Sequence, residues 1–275
     1  MNTTTKSSDI LLEAVNHYRL ELGGVKFWTP YWRDSLPTLD QPRPASGPFK
    51  GKGTPEELLE YLQGNRDFDR EYADGEDYRQ EMRNLKLGID CSGFAYYILS
   101  QWLSETMGET LDNHLYKPRQ RLLDVWHNPL LQHPPRITEA GIMALPEQVS
   151  LRQIQEFWGN NPVRLADVAV LTSTAATVAV LTAGEVRPGD IVRMRGADDI
   201  AHCVVIVEVA EHELTFAHSG RISEDELGGV ELGKIQINDP QRSLVDQTWG
   251  TIEVKNTLLS REPVRRLKIV ANHVE

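Results

Sequence analysis

The 275-residue sequence predicts an α+β fold, helices first and an antiparallel sheet after them. Three observations carry that expectation. Segments with helical apolar spacing and start and stop signals occupy the first half. From Val186 onward the texture changes to short β-branched runs separated by Gly and Asp turns. Between the two lies an apolar run, Phe94 to Leu103, that opens on Asp90-Cys91-Ser92-Gly93 and so places one of only two cysteines at a helix start.

Ser8 or Asp9 is suited to cap a first helix through about Leu22. Ile10, Leu11, Ala14, Val15, Tyr18 and Leu22 would line one face, and Gly23-Gly24 would stop it. Phe27 to Trp32 is aromatic and broken by Pro30. Ser35 to Gly53 is rich in Pro and Gly and reads as a long surface loop. Thr54-Pro55-Glu56-Glu57 starts a second helix, to about Gln63, with Thr54 as cap and Glu57 completing a capping box. Residues 66–83 are dense in charge. Their acids do not match a calcium loop, because the glycine and the final glutamate fall out of position, so the stretch reads as a solvated face.

The helix that begins at Cys91 should end near Thr106, before Gly108. Residues 109–147 read as an insertion. His114, His127 and His133 lie there with no metal-ligand spacing. Leu151 to Trp158 reads as helix, and Val168–Leu171 and Val178–Leu181 fit short strands or a helix. Arg187-Pro188-Gly189-Asp190 is a turn before a strand at Ile191–Met194, and Gly196–Asp199 is another turn. Strands follow at Ala201–Val209 and Leu214–His218, then at Lys234–Ile237, Thr251–Val254 and Arg265–Val270. The organisation is one domain over residues 1–275, with an N-terminal extension to about residue 65 and an insertion at about 108–183.

Net charge is −11 and no basic patch with interleaved aromatics occurs, which argues against nucleic acid as a partner. No apolar run approaches the roughly 20 residues of a membrane span. The polar N-terminus lacks the pattern of a secretory signal, so the chain reads as cytoplasmic by default, with export by another route left open. Two cysteines make no disulfide framework. No cofactor or metal is implied.

A cysteine in the first turn of a helix meets unpaired N–H groups and the positive end of the helix dipole, which favour its thiolate. Such a nucleophile needs a base and a group to orient that base. The strands after residue 200 offer both. With a three-residue turn at Val209-Ala210-Glu211, Glu208 faces His212 and His202 stands directly opposite His218. Opposed side chains on one face have Cβ atoms about 4.5–5.5 Å apart. A two-residue turn would instead put Ser219 opposite His202. Cys203 adjoins His202, so it points to the other face and reads as a buried small apolar residue with no service to Cys91.

Asp90-Cys91-Ser92-Gly93-Phe94 resembles the nucleophile motif of the NlpC/P60 cysteine peptidases. Arg187-Pro188-Gly189-Asp190-Ile191-Val192 is similar to that family's PGD turn and strand. His202-Cys203-Val204-Val205-Ile206-Val207 resembles its catalytic-histidine strand, and Phe216-Ala217-His218 the strand of its third catalytic residue. The resemblance covers chiefly residues 85–105 and 186–220. It implies a papain-like core, with the cysteine helix packed on the sheet that carries the histidines. It implies a Cys91-His202-His218 triad that cleaves amide bonds in cell-wall stem peptides, of the γ-D-glutamyl-diaminopimelate type, and therefore a small peptide or muropeptide as substrate. Asp90 and Ser92 match the positions that hold the substrate's free amine, and Asp90 also reads as a helix cap. Pro30-Tyr31-Trp32 resembles the family's upstream aromatic segment, which adds Tyr31 to the substrate-binding set, although the glycines that should follow are absent here. Two alternatives stay open: a thiol-dependent acyltransferase, deamidase or amidase acting on another small peptide or γ-glutamyl compound, and a non-catalytic binding protein on the same scaffold.

Overall fold

In the computed structural model, the described residues are 3–33, 51–127, 137–158, 163, 165–195, 201–220, 228–250 and 263–273. The loop expected from Ser35 (up to residue 50), the turn at 196–199, the strand at 251–254 and His133 lie outside them.

The chain opens with α1 (Thr3–Asn16) and a hairpin of β1 (Arg19–Leu22) and β2 (Val25–Trp28). Then come α2 (Pro55–Asn65), α3 (Gly75–Asn84) and α4 (Cys91–Met107). A region of short elements follows: β3 (Tyr116–Pro118), α5 (Arg119–Trp126), α6 (Glu139–Met143), β4 (Gln148–Ser150), α7 (Leu151–Trp158), α8 (Val168–Leu171) and β5 (Thr177–Val180). The chain closes with β6 (Ile191–Arg195), β7 (Ala201–Val209), β8 (Glu213–Gly220), β9 (Gly229–Gln236), β10 (Thr248–Trp249), β11 (Val264–Leu267) and α9 (Lys268–Asn272). The fold is α+β. Its main sheet has seven strands in the order β10-β9-β8-β7-β6-β11-β5, and every described pairing in it is antiparallel.

The first helix stops short of the expected Leu22. Ile10, Leu11, Ala14 and Val15 are buried at helical spacing, but from Arg19 the burial alternates, with Leu20 in and its neighbours out. A period of two is a strand's signature. Gly23 and Gly24 take left-handed φ values of +62° and +82°, which a two-residue hairpin turn demands, so they reverse a hairpin and do not terminate a helix. The expected Arg265–Val270 strand is likewise shorter, ending at Leu267 where α9 begins.

Helix α4 is central. Phe94, Ala95, Ile98, Leu99, Trp102 and Leu103 are all buried, each large apolar side chain contributing about 1.5–3 kcal/mol. Asp90 caps it by accepting the Gly93 N–H at 2.6 Å, and Gly108 in the left-handed region ends it. α1 packs on α4 and on β7, and α4 lies on β7 and β8. One buried cluster joins α1, α4, the helix-facing residues Cys203, Val205, Val207 and Ala217, and residues of the 108–183 segment such as Leu111, Leu151 and Leu171. The other face of the sheet has its own cluster around Val204, Ile206 and Phe216. No helix among the described residues is long and apolar enough to cross a membrane.

Candidate active site

The β7–β8 hairpin sets the histidines. Its turn is Glu211-His212, closed by the Ala210 N–H donating to the Glu213 carbonyl at 2.8 Å, and not the three residues Val209–Glu211. Such a turn alone pairs Glu208 with Thr215 and, carried on unbroken, would put His202 and His218 on opposite faces. A bulge between Ile206 and Glu208 shifts the register by one, so Val205 pairs with Ala217. Three residues further this register sets His202 opposite Gly220. His202 and His218 therefore share a face as diagonal neighbours, not as the directly opposed pair the sequence suggested.

Gly220 is what lets the diagonal close. A Cβ there would stand 2.7 Å from His218 Nδ1 and 3.2 Å from His202 Cε1. In the space left free, His202 Nε2 and His218 Nδ1 meet at 3.1 Å, with the rings nearly perpendicular. His218 is buried, and its Nε2 has no hydrogen-bond partner among the described residues. Burial, followed by the charge of His202, holds the His218 ring well below the usual histidine range, so it stays neutral.

The first turn of α4 lies against the start of β7. Cys91 is 6% exposed, and Cys203 and His202 are the side chains that act most strongly on its thiol. The Cys203 contact lowers the Cys91 pKa most; burial opposes it, and the charge and hydrogen bond of His202 add to the lowering. Cys203 moves the other way, raised by its bond to Cys91 and by burial. Of the two thiols, Cys91 is the one at a helix start, where the dipole favours its thiolate. This corrects the reading of Cys203. It is buried on the helix side as expected, but it touches the candidate nucleophile, and its S–H donates to the Cys91 carbonyl at 3.6 Å. Neighbours of opposite sheet faces both reach Cys91 because α4 begins at the strand's end.

Asp90 and Ser92 flank the thiol and are buried. They are already engaged, by a residue the sequence did not single out. Lys52 Nζ is 2.9 Å from Asp90 Oδ1, donates to Ser92 Oγ and reaches the Ala166 carbonyl at 3.3 Å. The same Asp90 oxygen accepts from the Ser92 hydroxyl at 3.0 Å. Burial raises the Asp90 pKa, against the pull of Lys52. Tyr31 is half-buried, and its backbone bridges Ile89 next to Asp90. Burial raises its phenol pKa far above the ordinary value, helped by the negative charges of Cys91 and Asp90. Ser219, fully buried, donates to the Ile89 carbonyl at 2.7 Å and so ties β8 to the segment leading into α4.

The structure thus gathers Cys91, His202, His218, Asp90, Ser92 and Tyr31 in one region and adds Lys52 and Cys203. Lys52 left no signal, being one lysine in a Pro/Gly-rich stretch 38 residues before Asp90.

No family model, curated protein or solved structure matches this chain.

His114 and His127 pair with Glu109 and Glu139, away from the site in sequence. Among the described residues no three or more His, Cys, Asp or Glu side chains converge as metal ligands would.

Proposed function

We propose that this protein is a cysteine hydrolase of amide bonds, on a papain-like core of the NlpC/P60 type, with Cys91 as nucleophile and His202 as its base. The observation that carries the reading is the seating of Cys91, at the start of α4, against the strand of His202, whose ring His218 meets at 3.1 Å. Cys91, as thiolate, attacks the acyl carbon. Its backbone N–H, in the first helical turn, is free to donate to the developing oxyanion. His202 then protonates the leaving amine, and water releases the acyl group from sulfur. His218 holds the His202 ring through the 3.1 Å contact.

A specific observation bears on the substrate. The cell-wall reading needs Asp90 and Ser92 to receive a free amine, yet the Lys52 ammonium already sits on both. That favours the second reading, with an amide whose acyl part brings no free amine to that point, such as a γ-glutamyl compound whose own amine is acylated.

The test is the Cys91→Ala variant beside the intact protein, assayed on muropeptides and on small γ-glutamyl amides whose α-amine is acylated. The variant should keep its far-UV circular dichroism and lose hydrolysis of whichever substrate the intact protein cuts. Hydrolysis at the intact rate by Cys91→Ala would falsify the proposal. Cleavage of the γ-glutamyl set without the muropeptides selects the second reading.

A further inference from the structure

Asp90 poses an electrostatic problem for the proposed nucleophile. A buried carboxylate one residue from Cys91 disfavours a thiolate. Asp90 cannot simply be absent, because it caps α4 through the Gly93 N–H.

Lys52 answers that problem. Its backbone is fixed before its side chain is: it forms an antiparallel bridge with Ile89, and its carbonyl accepts the Tyr97 hydroxyl at 2.8 Å. Gly51 next to it accepts the Asp90 N–H at 2.9 Å. The side chain then runs beneath Gly93, where a Cβ would lie 3.0 Å from Lys52 Cδ and 2.6 Å from the Gly51 carbonyl, so only glycine admits this approach. The side chain is 10% exposed. An ammonium has three hydrogens, and here it has three acceptors: Asp90, Ser92 and the Ala166 carbonyl.

We propose that Lys52 is a positioning residue of the Cys91 site: its ammonium cancels the charge of Asp90 beside the thiol and clamps Asp90 and Ser92 to the start of α4. The inference rests on the reading of Cys91 as nucleophile. Among the described residues, the charged and titratable groups around this thiol are Asp90, Lys52, Tyr31, His202 and Cys203, with Arg33 behind Tyr31 and His218 behind His202. Among them Lys52 alone touches Asp90 as a cation.

The experiment follows iodoacetamide alkylation of Cys91 in the full chain against pH, with peptide mass mapping to separate it from Cys203. The variants are Lys52→Met, Lys52→Arg, Asp90→Asn, and Lys52→Met with Asp90→Asn. Removing the cation should move the alkylation midpoint up by about one to three pH units. Lys52→Arg should stay near the intact protein, and the double variant should return most of the way, because neither charge remains. A merely structural lysine would give no such return. An unchanged midpoint in folded Lys52→Met overturns the proposal. Should Lys52→Met fail to fold, Asp90→Asn decides: its unopposed lysine should lower the midpoint, and an unchanged midpoint overturns the proposal equally. The differences between variants judge Lys52, whereas the intact protein's own midpoint judges the nucleophile. An ordinary value near 8.5 there would sink the function and leave the Lys52 comparison standing.

Discussion

His218 shows how one side chain can serve by staying uncharged. Its ring is buried against Phe216 and held at 3.1 Å from His202. A second imidazolium beside His202 would be repelled, and burial removes that risk by keeping the His218 pKa low. The sign of the consequence is definite. The folded pKa lies below the unfolded value of about 6.5, so in that interval the unfolded chain takes a proton the folded chain refuses. Stability present above about pH 6.5 is therefore lost as the pH falls toward the folded value. The thermal midpoint should drop between pH 7.5 and pH 5.5, and His218→Gln should drop less over the same span. Burial raises Asp90 and Asp190, so they work in the opposite sense at lower pH. They are common to both proteins and cancel in the comparison. Equal drops would remove His218 as the source.

At the scale of elements, the turn at Arg187–Asp190 does more than reverse the chain. Asp190 is 1% exposed, accepts the Arg187 N–H at 2.8 Å and holds Arg266 of β11 through two bonds of 2.8 Å. Its backbone meanwhile pairs with Ile206 of β7. The turn thus fastens β11 and β7 around β6. Arg266→Ala would leave a buried carboxylate without its cation and should cost about 3–5 kcal/mol in urea unfolding. Replacing both partners, Asp190→Leu with Arg266→Met, should recover most of that loss, because the buried charge goes too. The Pro-Gly-Asp motif was legible in the sequence, but the partner was not, since 76 residues separate Asp190 from Arg266. The same division runs through the other elements. α4 was read to within a residue at both ends, because Asp90 and Gly108 are local signals. The capping box of Thr54 and Glu57 was local as well, and it is present at the start of α2. The β7–β8 register differs from the expected one because the turn falls at Glu211-His212 instead of Val209–Glu211, and the bulge that partly offsets this has no local mark among Val204 to Val207. Residues 202 and 218 share a face only through that bulge, and through the bare backbone at Gly220.

At the scale of the molecule, the candidate site is assembled from four stretches far apart in sequence. Lys52 and Tyr31 come from the N-terminal extension, Asp90 to Ser92 from α4, Ala166 from the insertion, and the histidines from the sheet. Composition sets residues 35–53 and 109–147 apart from their neighbours, yet it could not show that Lys52 and Leu111 pack into the common core. α1 lies on α4 and β7, with Leu11 fully buried between them. A helix that shares its core with α4 cannot loosen alone. Leu11→Ala should therefore cost about 2–5 kcal/mol. Far-UV circular dichroism and tryptophan fluorescence should shift together as one transition, since Trp102 of α4 and the strands rest on the same cluster. Cys203 is 1% exposed, so its alkylation after a brief denaturant pulse should rise in that same transition and not before it. An earlier, separate transition in Leu11→Ala would mean that residues 3–33 unfold from the core on their own, and that the Tyr31–Ile89 bridge is lost before the His202–His218 contact.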